Sequence, residues 1–476
     1  MRNPLQTRPC PVGAALAGLL AVAVGCGSKA ATGGAGGGGR GGGAGTAGAV
    51  GAAGAQAGAG TTGGAGTTGG AGTTGEAGTT GDAGTGGIAG SGAAGANGAG
   101  GGSGGNGGAI PFYPLDMNDV TILAPPPPSI AKPVLLRGTD LADDGTVFVP
   151  RALYDPLVKG PSGGSIFTSV APHNVIEKYD RLHLVAVRFD LCDRHLPGAC
   201  PQDEDGRMRL VFQLATDGSG AEDVGFHAFY AIRNDEIAGA VAALRDLARA
   251  AASQSGALRV SPALGAADPT AYAAKLRAFV KRYGGETRLL RLTMNALNQN
   301  FEQITWEFRG VEKKGDAFVA IPIVGSTAIS QQVPLSGGTV SYDPFPPTDT
   351  PPGLLGASRQ YLFNAADEAT KRGYLAALTA VDNPLSHTAE TVACVACHVS
   401  TVVLDARVTA TVTDPLTLPG RYTSTYDLSI AGGKSAQTPT TLRALGYLGT
   451  QPMISQRVVN DTAQTLTEID QRFPAP

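Results

Sequence analysis

The chain has 476 residues and 70 glycines, and 39 of those glycines fall within the 82 positions from Gly27 to Gly108. That window holds no aromatic residue, no proline and only four charged side chains, Lys29, Arg40, Glu76 and Asp82. It cannot build a packed core, and the foldable length is the 368 residues from Ala109 onward. The formal charge of -3 excludes a nucleic-acid partner held by bulk positive charge.

The amino terminus reads as a secretory signal over residues 1–25. Arg2 and Arg8 precede Val12–Val24, a run of apolar or small residues too short to span a bilayer, which needs about 20. The tetrapeptide Ala23-Val24-Gly25-Cys26 resembles a bacterial lipobox. The resemblance implies lipidation of Cys26 and, because Gly27 rather than an aspartate follows, delivery to the outer membrane, facing the periplasm or the surface. Residues 26–109 then read as the anchor cysteine and a Gly/Ala/Thr linker. Its repeat GxAGTT begins at Gly63, Gly69 and Gly75. Glycine recurs at every third place there, but without proline a flexible coil with a span of roughly 50 Å is expected rather than a collagen helix.

Residues 110–341 are expected to form an antiparallel α+β domain. The runs Val134–Arg137, Val147–Val149, Leu182–Phe189, Met208–Leu214, Phe226–Ile232, Leu289–Met294, Thr305–Phe308 and Ala317–Ile321 read as strands. Two helices interrupt them. One has Asn234 as N-cap and Ile237, Val241, Leu244 and Ala248 on a face; the other opens at Asp268-Pro269 and aligns Tyr272, Leu276, Phe279 and Tyr283. Cys192 and Cys200 share one loop, where export favours a disulfide. A metal site adding His195, with Asp193 or with Asp203, Glu204 and Asp205, competes with it. His173, His183 and His227 are isolated and read as structural. This region shows no GxSxG, Walker loop or HExxH.

The chemistry lies near the carboxyl end, in Cys394-Val395-Ala396-Cys397-His398. A C-x-x-C-H motif places two thiols one helical turn apart, able to add to the two vinyl groups of a haem, and presents the next imidazole to the iron. Export agrees, since such attachment takes place outside the cytoplasm. A thioredoxin-like dithiol and a zinc site borrowing His387 are the competing readings.

On these residues the last 115 or so positions resemble single-haem c-type cytochromes. The resemblance implies a mainly α haem domain over 342–476, with Cys394 and Cys397 as the thioether residues of one covalent haem c and His398 as the proximal ligand. It also implies a helix before the motif, matched by Asn364–Ala380, and a distal methionine followed by a C-terminal helix. Met453 is the candidate, ahead of the helical pattern Asn460–Phe473, and His387 is a rival distal ligand. The Gly-Pro common after the haem histidine is absent between Val399 and Asp414.

The expected function is therefore electron transfer by a lipid-anchored carrier with an unidentified redox partner. It touches the membrane only through its lipid, and it is not read as an enzyme. A surface-binding lipoprotein with structural cysteines is the alternative. A haem enzyme with an open distal site, using Glu390 or His387, is a third.

Overall fold

The computed structural model describes residues 113–159, 177–191, 204–251, 255–299, 304–321, 330–335, 352–388, 391–411, 417–431 and 444–474, all within one compact unit, Ser103–Pro476. The signal and linker with Cys26, the loop holding Cys192, Asp193, His195, Cys200 and Asp203, and also His173 and Glu390, lie outside the described residues. So do the side chains of Glu204 and Asp205.

A single-turn helix α1 (Met117–Val120) leads into β1 (Thr121–Leu123), and α2 (Arg151–Val158) precedes three long strands, β2 (Leu182–Leu191), β3 (Glu204–Ala215) and β4 (Ala221–Arg233). Helices α3 (Ile237–Ala250) and α4 (Thr270–Tyr283) follow, then β5 (Leu289–Gln299), β6 (Ile304–Lys314), β7 (Ala317–Ala320) and β8 (Ser330–Leu335). Four helices come next: α5 (Pro352–Ser358), α6 (Gln360–Ala365), α7 (Glu368–Val381) and α8 (Cys394–Thr411). The hairpin of β9 (Leu445–Leu448) and β10 (Gln451–Ile454) then introduces α9 (Gln456–Arg472). The architecture is mixed α+β, with an antiparallel sheet in the order β1 to β7 and β8 paired to β6.

Six of the eight predicted strands are ladder strands. Val134–Arg137 and Val147–Val149 instead contribute only isolated bridges, Arg137 to His183 and Leu141 to Val147. Helix boundaries moved where caps decided them. The predicted helix Asn364–Ala380 is broken, because the Asp367 carboxylate accepts from the Thr370 N–H at 2.7 Å and starts α7 afresh. Ser455 likewise caps the Val458 N–H, so α9 begins before Asn460. Asn234 lies in a turn, and Glu236 takes the N-cap position of α3.

The sheet divides its residues by alternation. One face carries Met208, Phe212, Phe226, Tyr230, Leu292 and Met294, all at most 1% exposed; Phe148 packs against Phe212 and Tyr230 there, and Tyr154 of α2 against Phe226. The opposite face carries a row in direct register across five strands, Arg188, Arg209, Phe229, Arg291 and Glu312. The next positions along the chain on that face are His227 and Thr293, paired with each other, and Phe308 paired with Asn295.

The described residues of 342–476 divide between two cores. Val458, Val459, Ala463, Leu466 and Ile469 of α9 join the core that contains the sheet, together with Leu445, Tyr447 and Ile454 of the hairpin. The second core is formed by α5 to α8 with Trp306 and Phe308 of β6. The apolar stripe of α9 is satisfied by the sheet, and α8 packs on α5 to α7 and on Trp306 and Phe308 of β6.

Gln213 of β3 holds the hairpin in place. Its amide nitrogen donates to the Tyr447 carbonyl at 2.9 Å and its amide oxygen accepts from the Tyr447 N–H at 2.6 Å, both buried. A side chain at Gly446, which has φ +138°, would collide with that amide oxygen. Gln213→Leu is expected to cost about 1–3 kcal/mol, because it strands a buried backbone donor and acceptor. The check is a lowered urea midpoint with an unchanged slope.

Candidate functional site

The C-x-x-C-H residues form the first turn of α8. Thr388 and Thr391 build the lead-in turn, the Thr388 N–H donating to the Thr391 hydroxyl at 2.7 Å. Farther along the helix, the buried Arg407 donates from Nε to the Ala357 carbonyl at 2.9 Å and from Nη2 to the Ser358 carbonyl at 3.0 Å. These bonds satisfy the carboxyl end of α5 and fix the rotation of α8. Ser400 and Thr401, one turn beyond the histidine, donate to Asp382 at the end of α7.

Cys394, Cys397 and His398 all open onto one cleft between α8, the sheet and α9. The cleft encloses about 770 Å³ of empty space, the open solvent of its mouth included. Its walls are apolar at Phe229, Phe308, Val392 and Val458, and cationic at Arg209, Arg291 and Arg457. The His398 ring meets Phe308 edge-on, centroids 4.9 Å apart, and faces the His227 ring at 6.1 Å.

The cations are held by carboxylates from behind. Asp461 receives Arg188 Nη1 at 3.1 Å and Arg457 Nε at 2.8 Å, while Asp190 receives Arg188 and, at 3.4 Å, Arg209. Arg291 pairs with Glu312 at 3.2 Å. Arg209 and Arg291 flank the Phe229 ring, 4.6 and 5.8 Å from its centre. Arg457 also donates to the carbonyls of Val381 and His387, tying α9 to the end of α7. The cleft is thus lined by arginines held in place by ion pairs, with Asp461 among the lining residues, beside apolar walls.

Both thiols are free. Cys394 stands at the rim, exposed as a residue, yet packing around its sulfur raises the thiol above its ordinary value; Arg291 pulls the other way without prevailing. Burial pushes Cys397 up to about 12, again against the pull of Arg457. A dithiol working as a nucleophile needs the opposite shift. No family model, curated protein or solved structure matches this chain. Among the described residues no group of three or more His, Cys, Asp or Glu side chains is placed to hold a metal ion.

Met453, the distal ligand expected from sequence, is on β10 opposite Gly446, 5% exposed, and is not among the residues lining the cleft. His387 does not line the cleft either; its carbonyl serves Arg457, and burial lowers its imidazole pKa. His183 is buried, with Nε2 at 3.0 Å from the Ile130 carbonyl and Nδ1 without a hydrogen-bond partner among the described residues. His227, read from sequence as structural, lines the cleft beside His398. Its one available signal was spacing: it sits two positions from Phe229 on a strand whose alternate residues turn toward α8.

Proposed function

We propose that this chain is an exported, lipid-anchored c-type cytochrome that carries electrons through one covalent haem. The observation that carries the reading is the convergence of Cys394, Cys397 and His398, from the first turn of α8, on a single cleft with apolar walls and ion-paired arginines. The residues fit the group. Cys394 and Cys397 would hold the haem through two thioether bonds, His398 would hold its iron through a ring nitrogen, and Arg209 and Arg291 are available to pair with its carboxylates. When bound, haem supplies a one-electron couple that no protein side chain here provides. Phe308 and Val392 keep water from the imidazole, and the ion-paired arginines hold their positions without reorganising.

The anchor is part of the same reading and rests on the lipobox-like Cys26 and the linker behind it. No helix among the described residues is long and apolar enough to cross a membrane.

The test is expression of the full chain in a host with cytochrome c maturation, followed by a pyridine haemochrome spectrum and intact mass. One haem per chain is expected, and Cys394→Ser/Cys397→Ser should lose it entirely. A colourless wild-type product overturns the reading and leaves the surface-binding alternative, with the cysteines structural.

A further inference from the structure

We infer that His227 is the second axial ligand, so that iron in this protein is held between an imidazole from the helical layer and an imidazole from the sheet; the inference rests on the haem reading above. His227 and His398 are the two imidazoles lining the cleft, and their ring centres stand 6.1 Å apart at an interplanar angle of 73°. A metal–imidazole bond of about 2 Å on each side, plus about 1 Å from each nitrogen to its ring centre, places two trans imidazoles about 6 Å apart. The separation is therefore the one that two ligands sharing one metal take up.

The position of His227 suits a ligand. It stands in the interior of β4, bonded in register to Val211 of β3 on one side and Thr293 of β5 on the other, so its backbone is fixed by two ladders. His398 is restrained in turn by the Phe308 ring. The other soft or nitrogen donors are badly placed. Met453 and His387 do not line the cleft. Met294 borders it, but is 1% exposed, pairs with Phe226 and joins the core on the other face of the sheet. Asp461 is engaged by Arg188 and Arg457. Ligation uses the lone pair of one neutral ring nitrogen, displaces at most a water from the iron, and moves no electron.

Two axial histidines make the centre six-coordinate and low-spin, with no position open to small ligands. Their potential lies below that of a histidine–methionine pair. The experiment uses the full chain carrying covalent haem. The ferric wild type should show a low-spin signal of bis-imidazole type by electron paramagnetic resonance, lack a methionine-to-iron charge-transfer band, and resist carbon monoxide when reduced. His227→Ala should shift the ferric iron to high spin and open the ferrous iron to carbon monoxide; His227→Met should restore low spin with a raised potential. Met453→Leu and His387→Gln should leave all spectra unchanged.

A wild-type methionine band that disappears in Met453→Leu overturns the assignment, as does rapid carbon monoxide binding by the wild type, or a His227→Ala protein that stays low-spin. Should the variants fail to fold, the wild-type resonance spectrum decides alone. A chain without covalent haem overturns the functional reading as well, and the haemochrome assay separates that failure from the failure of the ligand.

Discussion

Asp461→Asn is expected to destabilise the protein by about 3–5 kcal/mol at neutral pH, the cost of removing one partner from a buried charge cluster. Asp461 accepts Arg188, whose side chain is 4% exposed, and Arg457, at 8%. Asparagine keeps the shape and loses the charge, and Asp190 is then left to balance guanidiniums that water cannot reach. Burial pushes the Asp461 carboxyl up, but Arg457, Arg188 and Arg209 outweigh it and hold the group below the ordinary carboxylate value. A depressed native pKa stabilises the fold above the unfolded value, near 3.9, and that contribution fades as pH falls through the native one. Denaturant midpoints of wild type and Asp461→Asn should thus differ widely at pH 7 and converge on acidification. A constant gap would mean that the loss is one of packing.

Asp382 is expected to behave in the opposite sense. Burial raises its pKa to about 7, although the Ser400 and Thr401 hydroxyls and the charge of Arg457 work against the shift. A raised native pKa means that the unfolded chain releases its proton first. Stability therefore declines as pH climbs from about 4 to about 7, at up to about 1.4 kcal/mol per unit, and then levels off. Asp382→Asn keeps an oxygen to accept from Ser400 and never ionises. After allowance for its unmatched amide hydrogens, it should be more stable than wild type by about 2 kcal/mol at pH 8. At pH 4 it should be equal or weaker. Urea unfolding at the two pH values tests this, and a variant weaker at both refutes it.

What could be read from the sequence was whatever depends on near neighbours along the chain. The C-x-x-C-H motif was visible because a helical turn fixes the distance between its thiols. The apolar face of α4 was visible because Tyr272, Leu276, Phe279 and Tyr283 repeat at its period, and all four are buried. Long alternating strands such as β3 and β4 announced themselves in the same way. The cleft did not, because it is assembled by strand register. Arg188, Arg209, Phe229 and Arg291 come from four strands, and nothing in their local sequence says that they stand in a row. Met453 was favoured for its distance beyond the motif, a criterion blind to the hairpin that carries it. The tie from Arg457 to the Val381 carbonyl was equally hidden, since it joins positions far apart in the chain.

The core of α5 to α8 draws on the sheet through Trp306 and Phe308, both on β6. A layer that meets the sheet along β6 and β8 and is tied to α9 through Arg457 can lift away while the longer ladder beneath it remains paired, which gives the protein two grades of opening rather than one. Amide protons of α8 should then exchange sooner than those of β3 and β4. The motif would be within reach of attachment enzymes on a chain whose sheet has already formed, so prosthetic-group loading need not wait for, or undo, the slower long-range pairing.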